Sequence, residues 1–269
     1  MHKMIEIFYI KLILSFVVGS IWITLLSIFA EKLGARIGGA IAGIPATMVV
    51  ALFFIGWIQT PRVASQATTI VPLIVGINAL FTILYIFLYR FGFYISLIAS
   101  LIFWFILSYF LVLTRFDNFS YSLIGYFILL LLSYYILEKK LNIKTVGKKK
   151  INYTLPKILF RSAIGGFVIA FSVLMAKISG PLLGGIFASF PALTVALIII
   201  MNYSHEFNFT ASLLKNFIIS GTVNVVFFTI AVRYTYIYLG LMLGTIISLL
   251  ISFLSAYLTY QFINKKILA

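Results

Sequence analysis

Two stretches of this sequence decide the fold: residues 34–49 (GARIGGAIAGIPATMV) and residues 180–195 (GPLLGGIFASFPALTV). They align without a gap when the second is moved back by 146 positions. The aligned pairs include Gly34 with Gly180, Gly38 with Gly184, Gly39 with Gly185, and Pro45 with Pro191. The same register continues outward, so that residues 11–81 match residues 157–227. A register of this length predicts an internal duplication.

The composition places the chain in a membrane. Of its 269 residues, 63% are hydrophobic and 9% are charged, and the mean hydropathy is +1.18. Soluble domains contain about 45–50% apolar and about 25% charged residues. This chain has too little polar surface to cover a water-facing fold of its size. We therefore expect an all-α polytopic membrane protein. Because the chain has no cysteine, disulfides and cysteine-ligated metals are excluded.

Apolar runs of about 20 residues predict membrane-spanning helices. The first run is too long for a signal peptide and is expected to stay in the protein. Nine such runs are predicted, at 5–29, 37–58, 67–89, 92–113, 119–137, 158–178, 183–203, 211–232 and 237–262.

The duplication and the span count together predict the architecture. Each repeat holds four spans, in residues 1–115 and 158–269, and the fifth span (119–137) has no repeat partner. That single helix, within a connecting region of residues 116–157, turns the second repeat over in the membrane. We therefore expect inverted-topology repeats, an architecture that many secondary transporters use.

The charge distribution predicts an orientation. The 20 Lys and Arg residues face only five acids, and fourteen of the 20 fall on the side that holds the C-terminus. The positive-inside rule then places the N-terminus outside and both the C-terminus and the 138–157 loop in the cytoplasm of a cell bearing this protein in its plasma membrane. Topology accounts for the net charge of +15, so the expected partner is the lipid bilayer and no nucleic acid.

A short motif links the first repeat to a known family. Gly39 and Pro45 are separated by five residues, and Thr47 follows two positions after the proline. A polar stretch, Gln59 to Gln66, then precedes the helix that carries Asn78. This pattern resembles the small four-helix GlpM-like membrane proteins, whose molecular function is unknown. The second repeat departs from it, with Leu193 in the place of the threonine. The resemblance implies two fused four-helix units plus a linking helix, and it implies no activity.

Catalysis and metal binding find no support in the sequence. The five acids and two histidines all fall in predicted loops or at helix ends. An intramembrane enzyme needs positioned carboxylates, histidines or nucleophile–base pairs within the protein. We therefore expect no enzyme activity, no cofactor and no metal site. A proton relay through a buried carboxylate is disfavoured for the same reason.

Pro45 and Pro191 are predicted to break spans 2 and 7 at equivalent positions, because proline lacks the backbone N–H that a helix requires. Paired breaks in two halves of a transporter point to the transport site. The alternative interpretation is close helix packing through small residues, and both can hold together. The small residues around the breaks are Gly38, Gly39, Gly43, Gly184, Gly185 and Ser189.

Asn78 and Asn224 are the most informative polar residues within the spans. Each lies about eleven residues into its span, close to the middle of the bilayer at about 1.5 Å per residue. Two interpretations stay open. The amides coordinate a solute or ion, or they form interhelical hydrogen bonds to a carbonyl freed by a break, such as that of Ile41. Thr47 and Thr194, beside the prolines, complete the hypothetical path.

The sequence therefore predicts passage of an unidentified small solute or ion by alternating access between the two repeats. Two alternatives stay open: a non-transporting scaffold or envelope-assembly factor, and a pseudosymmetric ion channel. A scaffold should tolerate replacement of both asparagines by leucine, whereas a transporter or channel should lose flux.

Overall fold

The computed structural model describes residues 2–32, 45–141, 143, 154–203 and 207–267. These ranges contain helices and connecting turns but no strand, so the all-α class is confirmed. Eleven α-helices are present in them: α1 His2–Lys32, α2 Ala46–Ile58, α3 Pro61–Ala67, α4 Val71–Leu88, α5 Phe93–Leu113, α6 Phe119–Tyr135, α7 Leu155–Ser179, α8 Pro181–Ala188, α9 Ala192–Asn202, α10 Phe207–Asn216 and α11 Thr222–Ile267. Shorter helical turns follow α4 (Tyr89–Phe91, 3₁₀), α6 (Ile136–Lys140, π) and α10 (Phe217–Gly221, π).

Seven helical segments in the described ranges are long and apolar enough to cross a membrane. They are Ile5–Ile28, Val71–Phe91, Phe93–Leu113, Phe119–Lys140, Leu155–Ser179, Pro181–Asn202 and Thr222–Thr259. Apolar side chains on their outer faces, such as Ile13, Ile106, Leu131 and Leu250, are exposed. Exposed apolar surface on this scale needs lipid around it. The chain is therefore a membrane protein.

The last and longest segment contains a sharp reversal at Gly240. Its backbone has φ 74° and ψ −179°, which only glycine adopts without strain. Side chains on the two sides of it meet: Thr235 donates to the Gly244 carbonyl, and Ser255 donates to Asn224 Oδ1. The two halves of α11 thus run antiparallel, at the position where the sequence predicts spans 8 and 9. Gly92, at φ 101°, turns the chain in the same way between α4 and α5.

Equivalent helices of the two repeats, α1 and α7, pack directly against each other. A Cβ added at Gly19 would meet Ile169, and one added at Gly165 would meet Ile23. Gly19 is equivalent to Gly165 and Ile23 is equivalent to Ile169 at the repeat offset of 146, so the two contacts are equivalent to each other. Contacts along the seam run in opposite senses, since Phe16 faces Gly166 whereas Thr24 Oγ1 lies 2.7 Å from Ser162 Oγ. The two helices are therefore antiparallel.

The helix without a repeat partner, α6, packs along α4 and also contacts α11, and these two helices occupy the third position of their repeats. The backbone N–H of Leu73 in α4 donates to Ser122 Oγ, and Gly76 faces Leu129 farther along both helices, so α4 and α6 are parallel. The Tyr126 hydroxyl is 3.2 Å from Thr222 Oγ1 at the start of α11. Arg233 lies eleven residues after Thr222 and stacks on the ring of Phe119, the first residue of α6. The helices α6 and α11 are therefore antiparallel.

The connection between the second and third predicted spans differs from the sequence prediction. The polar stretch Gln59–Gln66, expected as a loop, contains helix α3, because Thr60 caps it by accepting from the Val63 N–H and Pro61 occupies its first turn. Span 3 consequently begins at Val71 instead of residue 67. In the second repeat the equivalent region is helix α10, which continues through a π turn into α11.

Candidate functional site: the broken helix and the two asparagines

Span 7 is interrupted where Pro191 predicts a break. Helix α8 ends at Ala188, α9 begins at Ala192, and Pro191 between them has φ −76° and ψ 46°. Pro45, at the start of the described part of span 2, has nearly the same backbone, φ −74° and ψ 62°, and directly precedes α2. Both prolines are buried. Each of the two equivalent prolines thus directly precedes a helix, α2 or α9.

Asn78 reaches the break from the other repeat. Its Nδ2 donates to the backbone carbonyl of Ser189 at 2.8 Å, in the gap between α8 and α9. Its Oδ1 accepts from the indole Nε1 of Trp104 at 2.6 Å. The amide therefore satisfies a carbonyl that the interrupted helix leaves without its usual partner. Of the two interpretations of this asparagine, the hydrogen bond to a freed carbonyl is realised here, with Ser189 as the acceptor.

Asn224, the equivalent residue, has a different environment. It is fully buried, and its Oδ1 accepts from Ser255 Oγ at 3.1 Å. Its Nδ2 has no acceptor among the residues that the structure describes. In the repeat register the counterpart of Ser189 is Gly43, which lies outside the described residues, as do Gly38 and Gly39. The two asparagines are thus equivalent in sequence and unequal in their hydrogen bonding.

Small residues bring the broken helix close to its neighbours. A Cβ on Gly184 would clash with Ala176, and one on Gly185 would clash with the Ala67 carbonyl. Ser189 Oγ donates to the Gly185 carbonyl at 2.7 Å, so this hydroxyl is satisfied within the segment. Helix packing and a break therefore coincide, as small residues around a proline allow. These contacts fix the position of α8 next to the break.

Aromatic contacts enclose the network formed by Asn78, Ser189 and Trp104. The Trp104 ring meets Phe190 edge-on, with centroids 5.0 Å apart, and the tryptophan is fully buried. Of the remaining predicted path residues, Thr194 is buried and Thr47 is half-buried. In the described part of the chain, neither threonine joins the network.

Sequence reasoning missed Trp104, Ser255 and three charged residues. Trp104 lies about twelve residues into its span, where its indole N–H needs a hydrogen-bond acceptor. This requirement could have identified Trp104 from the sequence. The charged residues lie at the ends of the spans. Lys215 Nζ is 2.7 Å from Glu138 Oε2 at one end, and Arg233 donates to Thr69 Oγ1 at 3.0 Å at the other. In the described residues, no group of three acids or histidines could hold a metal ion.

A groove on the outer surface lies away from this network. It has a volume of about 360 Å³ and opens between α1 and α7 beside Phe16, Ile21, Leu25 and Leu159. All four side chains are exposed on the outer surface. The groove therefore faces lipid, and its hydroxyls, including that of Ser162, are bonded within the helix pair.

A family comparison covers both halves of the chain. Residues 12–117 and 158–265 each match a family described as proteins of unknown function, DUF3147. The chain belongs to this family. Two consecutive matches confirm the tandem duplication that the register of glycines and prolines predicts. The family carries no GlpM-like name, so that resemblance stays a prediction. Neither the curated proteins nor the solved structures contain a match.

Proposed function

We propose that this family member is a transporter that moves a small solute or ion by alternating access between two inverted repeats. In this proposal nine helices cross the plasma membrane, with the N-terminus outside and the C-terminus and the 138–157 loop in the cytoplasm. The protein acts without a cofactor and catalyses no reaction. The alternatives are a scaffold and a channel.

The antiparallel pairing of α1 with α7 carries the proposal. The same glycine–isoleucine contact occurs twice between these helices. In one copy Gly19 faces Ile169, and in the other Gly165 faces Ile23. Inverted repeats related by an axis in the membrane plane produce such exchange-equivalent contacts. Parallel repeats would place α1 and α7 in the same direction. The opposite directions of α4 and α11, both defined against α6, support the same arrangement.

The segments that connect the helices contact one another in two groups, one at each end of the helices, which is the arrangement expected for nine crossings. At one end Lys11 donates to the Trp57 carbonyl, and Ser65 donates to the Arg233 carbonyl. At the other end the Tyr89 ring stacks on Phe207 with centroids 3.9 Å apart. Each group joins residues that the proposed topology places on the same membrane face. In this proposal the short helix α2 is part of span 2, and the preceding residues of that span lie outside the described residues.

The unequal asparagines fit a cycle in which the repeats exchange conformations. One amide is bonded to the break in the opposite repeat, while its equivalent retains an N–H without an acceptor in the described residues. Two conformations of the repeats that interchange would interchange these environments. Amides and hydroxyls within the spans, such as those of Asn78, Asn224 and Thr194, suit a small polar solute or a weakly hydrated ion.

The test is flux through proteoliposomes. Purified protein is reconstituted, and the permeabilities to glycerol, urea, sodium and potassium are measured by stopped-flow light scattering and ion-selective dyes. A transporter raises at least one of them above that of empty liposomes, with a rate that saturates with concentration. Asn78→Leu with Asn224→Leu should reduce this flux at least tenfold, whereas Asn202→Leu, at the end of α9, should leave it within twofold.

The result also separates the alternatives. A rate that rises linearly with concentration would favour the channel. Unchanged flux in the double leucine variant would place the solute path elsewhere. A scaffold is the second candidate because both polar groups of Asn78 are already bonded within the protein, as a structural amide would be. Permeabilities equal to those of empty liposomes for every probe would favour it.

A further inference from the structure

The π turn that follows α6, the helix without a repeat partner, carries one member of an ion pair. Lys215 Nζ lies 2.7 Å from Glu138 Oε2 and donates to the Ile143 carbonyl at 2.8 Å. The side chains differ in exposure, 7% for Lys215 and 38% for Glu138. A buried ammonium depends on its partner, because removing the partner leaves an uncompensated charge in a site of low polarity.

Both members of this pair lie at π-helical turns. Glu138 is within the turn Ile136–Lys140, and Lys215 lies two residues before the turn Phe217–Gly221. Leu137 and Ile218, one from each turn, are buried in the same apolar cluster. Single π turns within α-helices occur frequently at functional sites, since they interrupt the regular hydrogen-bond ladder. The repeat pattern does not indicate this ion pair, because the residue equivalent to Lys215 in the first repeat is the uncharged Thr69.

The opposite end of α6 is held differently. The Arg233 guanidinium stacks 4.3 Å above the Phe119 ring and donates to the hydroxyl of Thr69. Eighteen residues separate Lys215 from Arg233, about 27 Å along a helix, which approaches the thickness of the hydrocarbon core. One continuous helical segment therefore holds both ends of α6, by an ion pair at one end and by ring and hydroxyl contacts at the other.

We propose that the Lys215–Glu138 pair is a latch that closes the seam between α6 and the α10–α11 segment at that end of the protein. When the pair separates, the seam opens from the two π turns as far as Thr222, and the contacts of Arg233 keep the other end of α6 in place. The role of this opening in alternating access rests on the proposed function, but the opening itself does not require transport.

The experiment measures access to the seam directly. Thr222 is buried and bonded to Tyr126 two turns beyond the latch, and the natural chain contains no cysteine. Thr222→Cys therefore provides a single reporter for the rate of labelling by N-ethylmaleimide in native membranes. Adding Glu138→Gln should raise that rate at least tenfold. Lys215→Met should raise it less, about threefold, because the member that it leaves alone is partly exposed.

Matched controls separate a latch from general loosening. Lys139→Gln removes an exposed charge from the same π turn and should leave the rate within twofold, as should Glu138→Asp, which keeps the carboxylate. A second reporter, Ser15→Cys, is fully buried on the distant helix α1 and should not respond to Glu138→Gln.

Two outcomes would overturn the inference. One is an unchanged labelling rate at Thr222→Cys in the Glu138→Gln variant. The other is an equal increase at both reporters, which means that the whole protein loosens. A protein that transports none of the probes would refute the proposed function and leave this measurement intact.

Discussion

At the scale of single residues, the two repeats are less alike than their sequences. Asn78 bridges Trp104 and the Ser189 carbonyl, whereas Asn224 accepts from Ser255 and keeps an N–H without an acceptor in the described residues. A buried polar group without a partner costs about 1–3 kcal/mol. The two positions should therefore differ in their contribution to stability, which the paired sequence pattern does not indicate.

Asn78→Leu should destabilise the protein by about 2 kcal/mol or more, because it leaves both an indole N–H and a carbonyl unpaired. Asn224→Leu should cost less than about 1 kcal/mol, since it removes the unpaired donor and Ser255 keeps its bond to the Ser252 carbonyl. Thermal unfolding in detergent, followed for both variants and the parent, checks this order. Equal losses would contradict the hydrogen bonding described here.

At the scale of helices, close approach depends on glycines that the duplication preserves. Gly19 and Gly165 lie where α1 crosses α7, and each faces an isoleucine of the opposite helix. In a membrane, small residues at a crossing stabilise the pair through packing, because lipid provides no hydrophobic driving force between helices. The seam is thus built from one contact used twice, and its two copies can be tested separately.

Gly165→Leu should destabilise the α1–α7 seam, because its side chain would occupy the space of Ile23. Adding Ile23→Ala should recover part of the loss, with a coupling of about 0.5–3 kcal/mol that residues in direct contact show. The matched control pairs Gly165→Leu with Ile169→Ala, which lies at the other copy of the contact. Melting temperatures of the single and double variants give the coupling. A larger recovery with Ile169→Ala would contradict the antiparallel register.

At the scale of the whole molecule, the ends of the helices form two groups of contacts. One holds Trp57, α3, the start of α6 and Arg233, and the other holds Tyr89, the end of α6 and α10. In the proposed architecture α6, which has no repeat partner and joins both groups, turns the second repeat over in the membrane. In the proposed topology the first group faces outward and the second faces the cytoplasm.

Single cysteines test that topology. Gln66 is exposed on α3, next to the buried Ser65, and Lys140 is exposed at the end of α6. A membrane-impermeant thiol reagent on intact cells should label Gln66→Cys at once, and Lys140→Cys only after the membrane is permeabilised. Labelling of Lys140→Cys alone would reverse the orientation and preserve the odd helix. Labelling of both in intact cells would mean that α6 does not cross, and the repeats would be parallel.

The sequence by itself determined the membrane class, the duplication and the position of the break at Pro191. These follow from composition, from a repeat register with an offset of 146 positions and from the missing N–H of proline, none of which depends on distant contacts. Only the tertiary structure decided which asparagine bonds a freed carbonyl, that Lys215 meets Glu138, and that α1 packs directly against α7. Each of these depends on side chains more than 70 residues apart. Their pairing depends on how whole helices pack, and packing between helices leaves no local pattern in the chain.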